Sequence, residues 1–286
     1  MKVGVIDVGG GFRAIFGCGI LDHCLEMGVE FDYCMGISAG SGNVLSYMSG
    51  QKGRNAKYYL YYSQRKEYAS MYNMLKKGSY ADLDYIYGTL SNSDGECPFD
   101  YTAFVESGKE FRSVAMDAQT GQAVYFDNGD IRQDCYDVCK VSSALPGAGK
   151  PYAMNGREYF DGGIVDPIPL KKAFADGCDY VVVILTRPLS TVRTPKRDRM
   201  PAKMIQRKYP LAANRLKMRY HTYNEEIQVA KKYAAEGKVL ILAPDSLCGL
   251  DTLKRKKKDL ERMYRKGWKA AEQIPVFLDQ IQKQKA

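Results

Sequence analysis

The chain alternates short apolar runs with longer segments in which apolar residues recur every three or four positions. The apolar runs predict strands at about 2–8, 31–36, 111–118, 122–126, 158–160, 179–186 and 238–243. The helical spacing predicts helices at about 12–27, 39–49, 55–66, 98–107, 131–143, 168–177, 201–236 (with Pro210 as a candidate break) and 250–285. Because strands and helices alternate, we expect an α/β fold with a mostly parallel sheet sandwiched between helices.

Charge is distributed unevenly along the chain. Residues 1–186 carry a net charge of −6, whereas residues 187–286, with 25 Lys+Arg and 10 Asp+Glu, carry +15. We therefore expect one domain over 1–186 and a basic, mainly helical region over 187–286 that packs on it or extends it. The basic charge indicates either a solvated helical face or peripheral contact with an anionic membrane surface. Nucleic acid is not expected as a partner, because no recognition motif or aromatic stacking platform accompanies the charge.

The apolar runs and the cysteines of the chain bear on its cellular compartment and on metal binding. No run of about 20 apolar residues is available to span a membrane, and the first strand begins without a signal peptide, so we expect a cytoplasmic protein. Eight cysteines in such a chain predict reduced thiols rather than disulfides. Cys135 and Cys139 have the spacing of half a metal site, but no nearby cysteine or histidine completes it. No metal or cofactor is expected, and no calcium-binding loop pattern is present.

Gly36-Ile37-Ser38-Ala39-Gly40 forms a G-x-S-x-G motif in which a short apolar strand runs directly into a helix. Such a turn holds the serine in a strained backbone conformation and presents its hydroxyl group to the solvent. Gly36 and Gly40 flank the serine because a side chain there would collide with the neighbouring strand or helix. Ser38 is therefore the candidate nucleophile.

Gly9-Gly10-Gly11 lies between the first predicted strand and the first predicted helix. Three glycines at a helix N-terminus leave backbone N–H groups free to bind an anion, either a phosphate or a developing oxyanion. One alternative is a tight turn that binds no ligand. Another is a dinucleotide site, since Ala14 ends an acceptable G-x-G-x-x-A pattern. The dinucleotide interpretation is disfavoured, because Gly36 and Ser38 occupy the place of its acidic residue.

Asp161-Gly162-Gly163 follows a short predicted strand. Two glycines after a carboxylate allow a sharp turn and leave access to Asp161 open. One interpretation is a turn in which the aspartate caps the next helix. The other is a general base, because a carboxylate held against a serine hydroxyl can take its proton in a site that excludes water.

Taken together, the three motifs resemble those of the patatin-like phospholipase family of acyl hydrolases. The resemblance rests on GGGFRA at 9–14, GISAG at 36–40 and DGG at 161–163, and it covers roughly residues 1–185. The chain looks most like the bacterial intracellular branch, whose members carry a basic helical C-terminal extension. Ala14 stands where the family usually has glycine, and its side chain is small enough for helix–strand packing.

The resemblance implies a three-layer patatin-like fold and a serine hydrolase that acts on lipid or other acyl esters. It implies a catalytic dyad in which Ser38 attacks the ester and Asp161 accepts the proton. The N–H groups around Gly10, Gly11 and Phe12 would then hold the oxyanion.

The number of histidines supports a dyad independently. The two histidines, His23 and His221, both lie in charged helical contexts. The order Ser38, Asp161, His221 does match that of an α/β-hydrolase triad. That fold normally places several strands before its nucleophile, whereas one strand and one helix precede Ser38 here. We therefore expect both histidines to be dispensable.

Three alternatives stay open. Arg13 either binds an anionic headgroup near the site or anchors its own helix through a salt bridge. The tyrosine-rich segment 58–87 forms either an ordinary helical layer or an amphipathic lid or wall for an acyl chain. A non-catalytic lipid- or ligand-binding protein with the same fold is the alternative function, although it would need neither Ser38 nor Asp161.

Overall fold

The structure, a computed structural model, describes residues 1–283. Within these residues eight strands form a single sheet. The strands are β1 (Val3–Asp7), β2 (Tyr33–Ile37), β3 (Glu110–Asp117), β4 (Ala123–Asp127), β5 (Tyr152–Met154), β6 (Arg157–Asp161), β7 (Tyr180–Ile184) and β8 (Val239–Leu242). The sequence pattern located seven of them. It missed β5, because three residues at the end of the sheet are too few to show an alternation.

The pairing of the strands confirms a mostly parallel sheet. Five strands run parallel in the order β3, β2, β1, β7, β8. β3 also pairs antiparallel with β4 and β6, and β6 pairs with β5. On β3, Val114 pairs with Ile37 of β2, and the next residue, Ala115, pairs with Asp161 of β6. The carboxyl ends of β2 and β6 therefore meet beside β3.

The helices largely follow the predicted spacing. They are α1 (Ile15–Met27), α2 (Ala39–Met48), α3 (Arg54–Leu60), α4 (Met71–Lys77), α5 (Tyr101–Glu106), α6 (Asp137–Ser143), α7 (Leu170–Ala175), α8 (Arg199–Ile205), α9 (Pro210–Ala235), α10 (Lys257–Ala270) and α11 (Gln273–Lys283). The break at Pro210 is confirmed, because Pro210 is the first residue of α9, where its missing N–H costs no helical hydrogen bond. α4 and a π-helical turn at Tyr85–Thr89 were not predicted.

The C-terminal helical prediction needs a correction. The helix predicted at 250–285 begins only at Lys257, because residues 250–256 form a loop. It is also interrupted between Ala270 and Gln273, where α10 ends and α11 begins. Residues 284 and 285 of that prediction lie outside the described residues.

Helices cover both faces of the sheet, which gives three layers. Val5 and Val182 point to one face and pack with residues of α1, α2 and α10. Their neighbours Ile6 and Val183 point to the other face and pack with residues of α7 and α9. Successive side chains along each strand therefore contribute to two separate hydrophobic cores, one on each face of the sheet.

α1 is buried more completely than its sequence predicts. A single apolar face was expected, but every residue from Ile15 to Asp22 is buried. The reason is that α10 covers the outer side of α1. A Cβ atom at Gly19 would overlap the Tyr264 carbonyl, and one at Gly267 would overlap the Phe16 carbonyl, so the two helix backbones approach closely.

The basic C-terminal region packs on the rest of the molecule and also extends its sheet. β8 continues the parallel sheet beside β7, and α10 lies on α1. The division of the chain into a domain at 1–186 and a C-terminal region at 187–286 remains a prediction. None of the helices in residues 1–283 combines the length and the apolar character that a membrane span requires.

Candidate active site

Ser38 occupies the sharp turn between β2 and α2. Its backbone angles are φ 55° and ψ −132°, a conformation that is strained for a residue with a side chain. A Cβ atom at Gly36 would overlap Ser41, and one at Gly40 would overlap the Asp7 carbonyl, so both flanking positions require glycine. The turn is held from the side by Ser142, whose Oγ accepts a hydrogen bond from the Ser38 N–H at 2.9 Å.

Asp161 lies at the end of β6, where the sheet brings it to Ser38. The carboxyl group is 4% exposed, and its Oδ1 accepts the Gly163 N–H at 2.8 Å. Burial raises the pKa of Asp161, and the Arg219 guanidinium opposes this rise most strongly. A hydrogen bond from the Ser38 side chain also opposes the rise. The structure thus brings together the two residues that the motifs single out.

The glycine-rich loop directs backbone donors toward the same place. Gly9, Gly10 and Gly11 all have positive φ angles, of 63°, 116° and 62°. Only glycine adopts such a succession without strain, and it turns successive N–H groups outward. Within residues 1–283, the N–H groups of Gly10 and Gly11 form no hydrogen bond. The Phe12 N–H, by contrast, donates to the Thr252 carbonyl at 3.2 Å.

A buried polar network that the sequence did not reveal supports this loop. Asp7 is fully buried at the end of β1, and its Oδ1 accepts the Gly9 N–H at 2.9 Å. Its Oδ2 accepts from Asn43 Nδ2 at 2.7 Å. The Asn43 amide oxygen accepts from Asn55 and Tyr59 in turn. Burial raises the pKa of Asp7 to about 6, although both hydrogen bonds favour the carboxylate.

Ser38 and Asp161 open onto a cavity of about 190 Å³. The tyrosine-rich segment supplies much of its wall, as the acyl-groove interpretation expects. The tyrosines on the wall are Tyr58, Tyr59, Tyr68, Tyr80 and Tyr87. Leu45, Leu83, Ile86 and Leu145 add apolar surface. A cavity of this character accommodates an apolar chain next to a few polar groups.

Arg13 forms a salt bridge, as the second of its two interpretations expects. Its guanidinium lies against Gly10 and pairs with Asp251 at 3.2 Å and with Thr252 Oγ1 at 2.8 Å. The side chain is 6% exposed, and within the described residues its Nε has no hydrogen-bond partner. Arg13 therefore ties the glycine-rich loop to the loop before α10.

The two histidines lie apart from this site. His23 stacks on Trp268, with ring centroids 4.4 Å apart, and its Nδ1 lies 2.7 Å from the Trp268 carbonyl oxygen. His221 is exposed on α9 and lies 3.2 Å from Glu225. Neither side chain lines the cavity beside Ser38.

The cysteine pair forms no metal site in the described part of the chain. Cys135 is exposed and Cys139 is buried, and burial raises the pKa of Cys139 to about 12. Residues 1–283 contain no group of three or more histidine, cysteine, aspartate or glutamate side chains placed to hold a metal ion.

A comparison with family models identifies the family of this chain. The model described as Patatin-like phospholipase matches residues 8–174, more than half of the chain, and spans all three motifs. The chain belongs to the patatin-like phospholipase family. The resemblance predicted from the motifs is thereby confirmed. A second model, described as a domain of unknown function (DUF6363), matches residues 209–283, which include α9, β8, α10 and α11.

Relatives in this family cover only parts of the chain. It is 31% identical over 198 residues to the uncharacterized protein YjjU of Escherichia coli K12, which covers 68% of this chain and 55% of YjjU. It is 30% identical over 74 residues to the uncharacterized NTE family protein Mb1092c of Mycobacterium bovis, which covers 26% of this chain and 19% of that protein. The chain thus spans about half or less of these relatives.

Among solved structures, VipD from Legionella pneumophila is similar with a TM-score of 0.49. The sequences are 14% identical, and the match covers 98% of this chain and 67% of VipD.

Proposed function

We propose that this protein is a serine hydrolase of lipid acyl esters that uses a Ser38–Asp161 dyad. One observation carries the proposal: a serine with a strained backbone lies against a buried carboxylate in the wall of a largely apolar cavity. The unpaired N–H groups of Gly10 and Gly11 border the same cavity. Nucleophile, base and oxyanion donors are the three parts that acyl transfer requires.

In the first step the Ser38 Oγ attacks the ester carbonyl carbon while Asp161 takes the hydroxyl proton. The carbonyl oxygen becomes negatively charged, and the N–H groups of Gly10 and Gly11 stabilise it. The Phe12 N–H adds a third donor when the Thr252 carbonyl no longer accepts it. The tetrahedral intermediate collapses to an acyl-enzyme, and the leaving alkoxide receives the proton from Asp161.

In the second step water attacks the acyl-enzyme. Asp161, again a carboxylate, takes a proton from the water, and the same N–H groups hold the oxyanion. Collapse of this intermediate breaks the bond to Ser38 Oγ, which recovers its proton from Asp161, and releases a carboxylic acid. The reaction written in this way uses side chains and backbone dipoles alone.

The alternative function, a non-catalytic lipid- or ligand-binding protein, explains the cavity but not the strained serine. Strain of this kind is costly and is retained where surrounding contacts over-determine it, commonly at reactive sites. A binding protein would gain nothing from placing Asp161 against that serine.

Labelling with a fluorophosphonate probe tests the proposal. We expect the wild-type protein to be labelled and to hydrolyse short-chain nitrophenyl esters, because the probe reacts with activated serines. Ser38→Ala should be neither labelled nor active, whereas Ser143→Ala, which removes another hydroxyl from the same cavity, should still be labelled. Labelling that persists in Ser38→Ala would disprove the nucleophile. Absence of both labelling and turnover in the wild type would favour the binding protein.

A further inference from the structure

The turn that carries Asp161 continues into a segment that α9 contacts at two places. Arg219 Nε donates to the Gly163 carbonyl at 2.6 Å. Seven residues farther along α9, Glu226 Oε2 accepts the Ile168 N–H at 2.7 Å. Seven residues make about two helical turns, so both side chains project from the same face of α9. We call residues 161–168 the Asp161 segment.

Hydrogen bonds inside the Asp161 segment connect these contacts to the carboxyl group of Asp161. Asp161 Oδ1 accepts the Gly163 N–H at 2.8 Å. The N–H groups of Val165 and Asp166 both donate to the Gly162 carbonyl, at 3.0 Å each. A displacement of the segment at Asp166 would therefore also displace the turn that orients Asp161.

Asp166 and Glu226 form a pair of half-buried carboxyl groups where the Asp161 segment meets α9. A hydrogen bond joins their side chains. An ionised carboxylate only accepts hydrogen bonds, so one member of the pair carries a proton. Tyr125 of β4 donates its hydroxyl group to Asp166 Oδ2. This bond stabilises Asp166 as the carboxylate, and Glu226 therefore keeps the proton.

The charged groups around the pair come from α7 and do not neutralise it. Lys171 is exposed and favours ionisation of both carboxyl groups from a distance. Lys172 lies over the Tyr125 ring, 5.2 Å from its centroid, and forms its salt bridge with Asp176. Burial raises the pKa of Tyr125, and the nearby carboxylates raise it further, so its hydroxyl group remains a donor at alkaline pH. Within residues 1–283, neither carboxyl group of the pair forms a salt bridge.

Glu226 is a neutral acid near pH 7. Burial and the negative charge of Asp166 raise the pKa of Glu226 well above its usual range. A neutral Glu226 accepts from Ile168 and donates to Asp166 at the same time. Loss of the proton would leave two like charges in direct contact in a poorly solvated site. Their repulsion would push the Asp161 segment away from α9.

We propose that Glu226 is a positioning residue: as a neutral acid bonded to Ile168 and Asp166, it fastens the Asp161 segment to α9 and so holds Asp161 against Ser38. This inference rests on the proposed hydrolase function, and it gives the basic C-terminal region a part in orienting the base. A misplacement of about 1 Å at a reacting group can lower the rate by about 10²-fold.

Two substitutions of Glu226 test the inference with a soluble nitrophenyl ester. Glu226→Gln keeps one donor and one acceptor, so it should retain most of kcat at pH 7.5. Glu226→Leu removes both, and we expect kcat to fall at least tenfold with little change in KM, because a displaced base slows the chemical step. Glu225→Gln, at the exposed neighbouring position on α9, is the control and should keep the kcat of the wild type.

The pH profile of kcat separates a proton-dependent contact from an ordinary structural one. In the wild type kcat should fall at alkaline pH as Glu226 loses its proton, whereas in Glu226→Gln this fall should move to higher pH by about one unit or more. The same alkaline fall in both proteins would overturn the role of the proton. Wild-type kcat in Glu226→Leu, or a kcat in Glu226→Gln as low as that of Glu226→Leu, would overturn the positioning role.

Thermal denaturation at several pH values separates this inference from the hydrolase function. A carboxyl group whose pKa is raised on folding stabilises the native state at low pH and loses that contribution as the pH rises. The melting temperature of the wild type should therefore fall relative to that of Glu226→Gln between about pH 5 and pH 9. A constant difference between the two proteins would refute the proton on Glu226. If the wild type hydrolyses no ester, the hydrolase proposal fails and the positioning role fails with it, whereas this measurement still decides the proton.

Discussion

Two groups of polar side chains lie near the glycine-rich loop, one buried (Asp7 and Asn43) and one part-buried (Arg187, Arg193 and Arg219), and they differ in how fully their hydrogen bonds are satisfied. Below the loop, the side-chain nitrogen of Asn43 donates to Asp7 and to the Ala14 carbonyl, and its oxygen accepts from Asn55 and Tyr59. Beside the loop, Arg193 and Arg219 lie 3.7 and 3.8 Å from Asp198, beyond hydrogen-bonding distance, and both lower the pKa of Asp161 from farther away.

The difference indicates what each group does. A fully satisfied network in a low-dielectric interior is rigid, because displacing any member leaves several buried groups unpaired. Such a network suits a positioning role, and it holds the Gly9 N–H through Asp7. Arginines whose carboxylate partner lies beyond hydrogen-bonding distance are held less firmly. The network around Asp7 and Asn43 therefore fixes the shape of the loop, whereas the arginines act on it through their charge.

The largest expected effect comes from removing the proposed nucleophile or the proposed base. Ser38→Ala and Asp161→Asn should each lower kcat by about 10⁴-fold or more, because the nucleophile and its base act as a unit. Both variants should keep the melting temperature of the wild type within a few degrees. Steady-state kinetics and thermal denaturation measure the two quantities.

A control on α9 distinguishes the dyad from a triad. His221→Ala should retain most of the activity, since His221 is exposed and paired with Glu225. A loss of about 10³-fold with intact folding would point to a triad instead. Addition of EDTA to the wild type should also leave turnover unchanged, and activity lost to EDTA and restored by a divalent ion would contradict the proposed chemistry.

The second prediction tests the hydrogen-bond network around Asp7 and Asn43. Asn43→Leu keeps the branched shape of the side chain but leaves Asp7, Asn55 and Tyr59 with unpaired groups, so we expect a loss of about 3 kcal/mol or more in the free energy of unfolding. Urea denaturation measures this loss. Asn214→Leu, on the exposed side of α9, is the matched control and should change stability by less than about 0.5 kcal/mol. Equal stability of the two variants would show that the network is not a rigid support.

A third effect concerns the charge of Arg219 near Asp161. In the proposed mechanism Asp161 acts as a base only when ionised, so we expect activity to fall as the pH drops through its raised pKa. Arg219 favours the ionised form, and Arg219→Gln should therefore move the acid limb of kcat/KM to higher pH, by about 0.5 to 1 pH unit. A pH profile on a neutral ester measures the shift. An unchanged limb would separate Arg219 from the dyad.

The smallest effect contrasts the buried arginines with solvated lysines. Lys254, Lys256 and Lys258 are exposed, whereas Arg255 bonds to Tyr80 and to the Ala69 carbonyl. If the basic region contacts anionic membranes, replacing the three lysines with glutamine should weaken vesicle binding by about threefold to tenfold. The turnover of a small soluble ester should stay the same.

Sedimentation with vesicles of different anionic lipid content measures this binding, and added salt should reduce it, because the Debye length is about 8 Å at physiological ionic strength. Equal binding by the wild type and the triple variant would identify these lysines as a solvated face.

Local signals in the sequence predicted most of the strands and helices and singled out the three motifs. Glycine tolerates a positive φ angle and a close backbone approach. Its positions in the sequence therefore predict the strand-to-helix turn at Ser38 and the glycine-rich loop, because the signal lies in adjacent residues. The parallel sheet follows from the alternation of elements. β5 and α4 escaped prediction, because short segments carry too few residues to show a period.

The buried network that supports the glycine-rich loop, and the position of Arg187, Arg193 and Arg219 in the cavity wall, became visible only in the tertiary structure. Asp7 and Asn43 are 36 residues apart, and Arg13 and Asp251 are 238 apart. Pairing over such separations depends on how β1, α2 and the loop before α10 pack, and no periodicity along the chain encodes it. The sequence by itself determined which residues have the chemistry of a nucleophile, a base and oxyanion donors. Tertiary packing decided which buried charges are satisfied, because only folding brings distant partners within hydrogen-bonding distance.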